Sequence, residues 1–230
     1  ILGSRSSSDF ADVPAGIGGG WDGFRGTPEL VYMFDYQDNA NPKADEILDK
    51  RGIFYDKHRS IDITTSVTGT FTTEGWSVYK YTNLRSDGQP GSNTTFPDTD
   101  FPMFRLADVY LMYAESVARG GQGGSMAMAV QYINALRQRA YGDTAHGVTE
   151  AWLTENNYRN ILEERCRELY WEGTRRTDLV RYGLFTSANY LWTFKGGVLS
   201  GAGVSGRYNV FPIPTTDLSV NANLKQNEGY

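Results

Sequence analysis

Residues 160–185 read NILEERCRELYWEGTRRTDLVRYGLF, and the fold turns on how this stretch is read. At roughly 100° per residue, Leu162, Cys166, Leu169, Tyr170 and Gly173 gather on one side, as the buried face of a helix does. Trp171 points nearly the opposite way. A helix with apolar surface on one side and a large ring on the other is held by neighbours on both, which predicts a layer of several helices. Gly173 is expected to end this helix, and a shorter one over 178–182 to stop at Gly183.

The charges of the same stretch have two readings. Glu163 with Arg167, Arg165 with Glu168, and Glu172 with Arg176 have the spacing of ordinary helix-surface pairs. Glu164, Glu168 and Glu172, however, follow one another at i, i+4 along one edge, where they repel unless cations arrive from elsewhere. Arg105, Arg137 and Arg139 are the candidate cations. One reading is a catalytic carboxylate pair, and the other is an ion-paired seam between helices. The seam is preferred, because Glu163 and Glu164 are adjacent on a helix and point about 100° apart, so they do not flank one glycosidic bond. The expected structural network comprises Arg105, Glu115, Arg137, Glu164, Arg165, Glu168, Glu172, Arg175 and Asp178.

Upstream, residues 103–121 read MFRLADVYLMYAESVARGG. Leu106, Ala107, Tyr110, Leu111, Ala114, Val117 and Ala118 recur at helical spacing until Gly120 and Gly121. A second helix is predicted from about Ser125 to Gly142, with Val130, Ile133, Leu136, Arg137 and Ala140 inward. Two helices joined by GGQGG form a hairpin, and Ala107, Ala114 and Ala129 allow the close approach seen in tetratricopeptide-type repeats. Third and fourth helices follow over 155–183. One hairpin does not bury its faces alone, so further repeats are expected before this chain, whose opening ILGSRSSSDF reads as the middle of a longer protein.

The first part of the chain is different in kind. Six glycines between 16 and 26 punctuate Trp21, Phe24 and Arg25, so aromatic rings are carried on a loop. Pro28 opens a predicted helix of about two turns. Ile53, Tyr55, Ile61 and Ile63, then Phe71, Trp76, Val78, Tyr79 and Tyr81, read as short strands. Residues 85–102, rich in Pro, Gly and polar residues, are taken as a boundary. The expected organisation is an irregular, loop-rich portion over 1–98 and a helical portion over 99–230. At the end, Pro212 and Pro214 fix an extended segment. A polar tail follows, in which Asn221, Asn223, Gln226 and Asn227 are expected to bond to the backbone.

Composition excludes several functions. The net charge is −5, with 22 scattered Lys and Arg, which argues against nucleic acid as a partner. No apolar run is long enough to span a bilayer. The single cysteine, Cys166, falls in the buried stripe and reads as a core residue. His58 and His146 have no partner at metal-ligand spacing, and two carboxylates within residues 97–100 are too few for calcium. No metal or other cofactor is expected.

Three blocks resemble the SusD/RagB family of surface nutrient-binding lipoproteins of Bacteroidetes. They are FRLADVYLMYAES with the later YINALRQRA, then ILEERCRELYWEGTRRTDLVRYG, then the terminal FPIPTTDLSVNANLKQNEGY. DKRGIFYD and VYKYTN are weaker landmarks. Ala222 and Glu228 stand where the family tail has prolines, while Asn221, Asn227, Gly229 and Tyr230 keep the pattern. The resemblance implies a mainly α, SusD-like α-α superhelix with tetratricopeptide-like helix pairs, plus a loop-rich portion with a few short strands. It also implies a non-catalytic protein, anchored to the outer membrane by lipid on an amino-terminal portion. Such a protein captures glycan, or in some cases peptide, for a SusC-like TonB-dependent transporter. The alternative is a helical scaffold that only docks.

Glycan capture needs flat rings for the apolar faces of sugars, with polar groups for their hydroxyls. Trp21 and Phe24 beside Asp22 and Arg25 are the first candidates. Trp76, with Tyr79 and Tyr81, comes second, and for Trp76 the core of a small sheet is the preferred reading. Trp192 is a third candidate, with a place in the core again the preferred reading.

Overall fold

Residues 17, 18, 24–64 and 73–230 are described by the computed structural model. One compact unit reaches Arg175, and residues 176–230 form another. The first unit begins with strand β1 (Arg25–Gly26) and a single helical turn α1 (Pro28–Val31), then β2 (Phe54–Tyr55) and β3 (Trp76–Val78). The strands form one antiparallel sheet in the order β1-β3-β2, with Arg25 opposite Ser77 and Phe54 opposite Val78. The expected strands are thus shorter than their apolar runs, and α1 has one turn where two were expected. Phe71 lies outside the described residues. Such short strands carry little stability of their own. They are held because Val31, Phe34, Tyr36, Phe54, Trp76 and Val78 share one buried cluster, to which Tyr170 also belongs.

The helical part of this unit is built on α2 (Leu106–Ala118) and α3 (Met126–Tyr141). Ser125 caps α3 by accepting from the Met128 N–H at 3.2 Å, and Gly142 ends it at φ 85°, a left-handed conformation that costs glycine little. Leu111, Ala114, Ala129 and Ile133 are completely buried between the two helices, and Tyr110 stacks on Tyr132 with centroids 4.1 Å apart. Leu153 from α4 (Glu150–Thr154) and Ile161 and Leu169 from α5 (Arg159–Leu169) complete the cluster. Each fully buried Leu or Ile contributes about 1.5–3 kcal/mol of transfer free energy.

Helix α5 stops at Leu169, four residues before the expected Gly173, for a packing reason. Leu169 belongs to the helical cluster and Tyr170 to the aromatic one, so the chain must turn between them. Tyr170 is extended at ψ 144° and Trp171 is left-handed at φ 63°. The Lys80 ammonium takes up the carbonyls exposed there, donating to Glu168 O at 2.8 Å and Tyr170 O at 2.9 Å.

Helix α6 (Arg175–Arg181) begins at the last residue of the first unit and is followed by Gly183 at φ 68°. In the second unit, Lys195 is buried and spends its ammonium on three carbonyls, those of Leu184, Ser187 and Tyr190. The tail contains α7 (Thr215–Val220), which the sequence did not announce because six residues are too few to display a period. Gln226 bonds both backbone groups of Ile213, and Asn227 donates to Phe211 O at 2.8 Å. Among the described residues, no helix is long and apolar enough to cross a membrane.

Candidate functional site

The acidic edge of α5 lies inside the first unit and is neutralised from several elements. Glu164 is completely buried. Its Oε1 accepts from Arg51 Nη1 at 2.7 Å, and its Oε2 accepts from Arg137 Nη1 at 2.8 Å and Arg167 Nη2 at 2.7 Å. Glu168 accepts from Arg105 at 2.6 Å, Arg139 at 2.5 Å and Arg51 at 3.2 Å. Glu172, beyond the helix end, accepts from Arg105 Nε at 2.7 Å and from Lys80. Asp49 orients Arg51 through two further bonds, at 2.8 and 2.6 Å. Arg105, Arg137, Glu164, Glu168 and Glu172 are therefore brought together.

The remaining members of the expected network have these partners. Glu115 pairs with Arg119 at 2.8 Å, Arg165 with Asp108 at 2.8 Å and Asp178 with Arg181 at 2.8 Å. Arg175 donates to Leu162 O at 3.1 Å. The pairs expected on α5 are re-partnered: Arg167 turns to Glu164, three residues away on the same helix, and Glu172 turns to the distant Arg105 and Lys80.

This geometry sets the protonation states. Burial alone would push the Glu164 carboxyl up, but Arg167, Arg51 and Arg137 around it hold it well below the usual carboxylate range. Glu168 is likewise opposed by burial and brought down by its bonds to Arg139 and Arg105. A general acid needs a raised pKa and access to substrate. Glu164 has neither, and both of its oxygens are already bonded inside the protein.

The aromatic candidates separate clearly. Phe24 is 68% exposed and meets Trp171 edge-on at 6.1 Å. Arg25 sits in β1 and donates to Glu74 O at 3.0 Å. Trp21 and Asp22 lie outside the described residues. Trp76 is corrected: it is 2% exposed and packs against Tyr36 and Phe54, so neither face is open to a sugar. Tyr79 and Tyr81 are half-buried, and so is Trp192 in the second unit.

Asp49, Arg51 and Lys80 were missed by sequence reasoning. The signal for them was the excess of acid along α5, which demanded cations without naming all of the donors.

A mainly helical fold with a small three-stranded sheet, its charged residues paired between helices, is that of the SusD-like class. The SusD family pattern matches residues 63–230, and the chain belongs to that family. It is 47% identical over 159 residues to the starch-binding protein SusD of Bacteroides thetaiotaomicron, across 69% of this chain and 26% of that protein. A SusD-like protein of Formosa agariphila is 32% identical over 186 residues, across 76% of this chain and 32% of that one. The chain thus spans a third or less of the length of these curated relatives. The crystal structure of a SusD-like protein from Bacteroides fragilis has the same fold. It superposes with a TM-score of 0.58 at 19% identity, over 92% of this chain and 48% of that one.

Proposed function

We propose that this chain is part of a non-catalytic surface protein that captures glycan, with starch-type glucan as its first ligand. Its 47% identity to a starch-binding relative is the observation that carries this reading. In this reading the loop-rich portion over 1–98 faces the ligand, with Trp21 and Phe24 stacking on sugar rings and Asp22 and Arg25 meeting hydroxyls. The helical portion over 99–230 is scaffold. The family resemblance supplies the remaining parts, namely a lipid anchor in the outer membrane and delivery of the glycan to a SusC-like TonB-dependent transporter. The closed carboxylates of α5 support the absence of catalysis.

The test is calorimetric titration of the chain with maltoheptaose and soluble starch, run beside an assay for new reducing ends. Saturable binding without reducing ends is expected. Absence of binding to any glycan, or release of reducing sugar, would overturn the reading.

A second reading, docking without a ligand of its own, draws on one observation. Met103, Phe104, Leu106, Val109 and Met112 are exposed, the last three at helical spacing along one side of α2. Association with the transporter alongside silence in every glycan titration would favour it.

A further inference from the structure

The second unit holds a recess that the reading above leaves unused. Its volume is about 450 Å3, within the range of small-molecule sites. Five rings wall it: Phe185, Trp192, Tyr208, Phe211 and Tyr230. Phe185 and Trp192 stack with centroids 6.0 Å apart and planes 29° apart, and the Lys195 ammonium lies 4.4 Å from the Trp192 ring centroid. The Tyr230 hydroxyl donates to the Val210 carbonyl at 3.0 Å, and the Arg207 guanidinium lies 4.9 Å from the Tyr208 ring and 5.4 Å from that of Tyr230. These rings are therefore fixed before any ligand arrives.

Arg176 supplies the polar group. Its guanidinium stands 4.1 Å from the Phe211 centroid and 4.9 Å from that of Phe185. Nη2 donates to Tyr208 O at 2.7 Å, and among the described residues Nε and Nη1 donate to nothing. The neighbouring Lys195 has no donor to offer, because its three carbonyls use them all. No Asp or Glu lines the recess. A wholly apolar ligand would cover the guanidinium and leave its donors unmet, which is costly. A bare anion would gain nothing from the rings. The lining suits a ligand with a flat C–H face and, on its edge, two adjacent oxygen acceptors that a guanidinium fork reads together.

We propose that this recess is a second carbohydrate site, taking one pyranose ring whose apolar face lies on the aromatic wall and whose adjacent oxygens accept from Arg176. The ligand class rests on the glycan-capture reading, while the location does not. The paired oxygens are either two vicinal hydroxyls of a neutral glucan or the carboxylate of a uronic acid.

The experiment titrates the isotope-labelled chain with maltoheptaose and, separately, with trigalacturonate. It follows the indole N–H of Trp192, the Nε–H of Arg176 and the indole N–H of Trp21 by NMR. The Trp192 and Arg176 signals are expected to move saturably with one of the sugars, and to do so equally in Trp21→Ala. Response to maltoheptaose identifies a neutral glucan, and response to trigalacturonate an acidic one. In Phe211→Ala, which alters a ring that is 69% exposed, affinity read at Trp192 is expected to fall about tenfold. Arg176→Lys, which keeps the charge and loses the fork, is expected to weaken it several-fold and serves if Phe211→Ala does not fold. If Trp21 responds while Trp192 and Arg176 stay still with both sugars, the second site is refuted and glycan capture stands. Silence at every resonance refutes both. Undiminished affinity at Trp192 in both variants also refutes the second site.

Discussion

Arg51 Nη1 lies 2.7 Å from Glu164 Oε1, joining residues 113 positions apart in the chain. The contact ties the segment leading into the small sheet to the helix at the centre of the helical cluster. Arg51 is held in place by Asp49 on one side, and Arg137 and Arg167 close on the same Glu164 carboxylate from the other.

Removing that carboxylate takes from Arg137 and Arg167 the carboxylate they share, while Arg51 keeps Asp49 and Glu168. Glu164→Gln, close to the native volume, is expected to destabilise the protein by about 3–5 kcal/mol, as breaking a buried pair by deleting one partner does. Urea denaturation followed by tryptophan fluorescence measures it. A loss under about 1 kcal/mol would mean that the cluster adds nothing to folding.

Acid should weaken the same cluster. The folded-state pKa of both Glu164 and Glu168 lies below the ordinary carboxylate value of 4.5. Their contribution is therefore complete above that value and is lost as pH falls beneath it. The urea midpoint of the native chain should drop steeply between about pH 4.5 and the acid limit of folding, and that of Glu164→Gln less steeply. Parallel profiles for the two proteins would contradict this.

Tyr170, just past the end of α5, is tied to the sheet side through its hydroxyl as well as its ring. The hydroxyl accepts from the Ile53 N–H at 3.3 Å and donates to the Arg51 carbonyl. Tyr170→Phe keeps the contacts with Phe34 and Phe54 but strands a partly buried backbone donor, for an expected cost of about 1 kcal/mol or somewhat more. Hydrogen exchange at the Ile53 amide should quicken in this variant, and unchanged exchange would remove the hydroxyl from the explanation.

Gly142 sits at φ 85°, and a Cβ there would lie 3.0 Å from the Lys50 ammonium nitrogen. Gly142→Ala should therefore lower stability by about 1 kcal/mol, mostly through backbone strain. Thermal unfolding checks the sign, and a raised Tm would show that the helix end tolerates a side chain.

The sequence was most legible where a period repeats long enough to be counted. Helices α2 and α3 carry apolar residues at helical spacing over 13 and 16 residues, with Ser125 and Gly142 marking the ends of α3. The need for outside cations beside Glu164 and Glu168 was also legible, since like charges one turn apart require them. Arg51 and Lys80 were not, because nothing local in DKRGIFYD or VYKYTN says which distant helix they face. Trp76 had two readings, binding ring or sheet core, and its 2% exposure favours the core; a three-residue strand in an aromatic run does not by itself reveal whether another layer covers it. The recess in the second unit left no pattern either, as its rings are scattered from Phe185 to Tyr230.

The most direct measurement compares Trp21→Ala with Glu168→Gln for maltoheptaose affinity and melting temperature in the same chain. With recognition on loop aromatics and the acidic cluster serving as a brace, Trp21→Ala should lose the maltoheptaose binding that Trp192 does not report, at unchanged melting temperature. Glu168→Gln should lower the melting temperature and, well below it, bind the sugar as the native chain does. The opposite pattern, with affinity lost in Glu168→Gln at native stability and kept in Trp21→Ala, would contradict the division of labour between brace and binding surface.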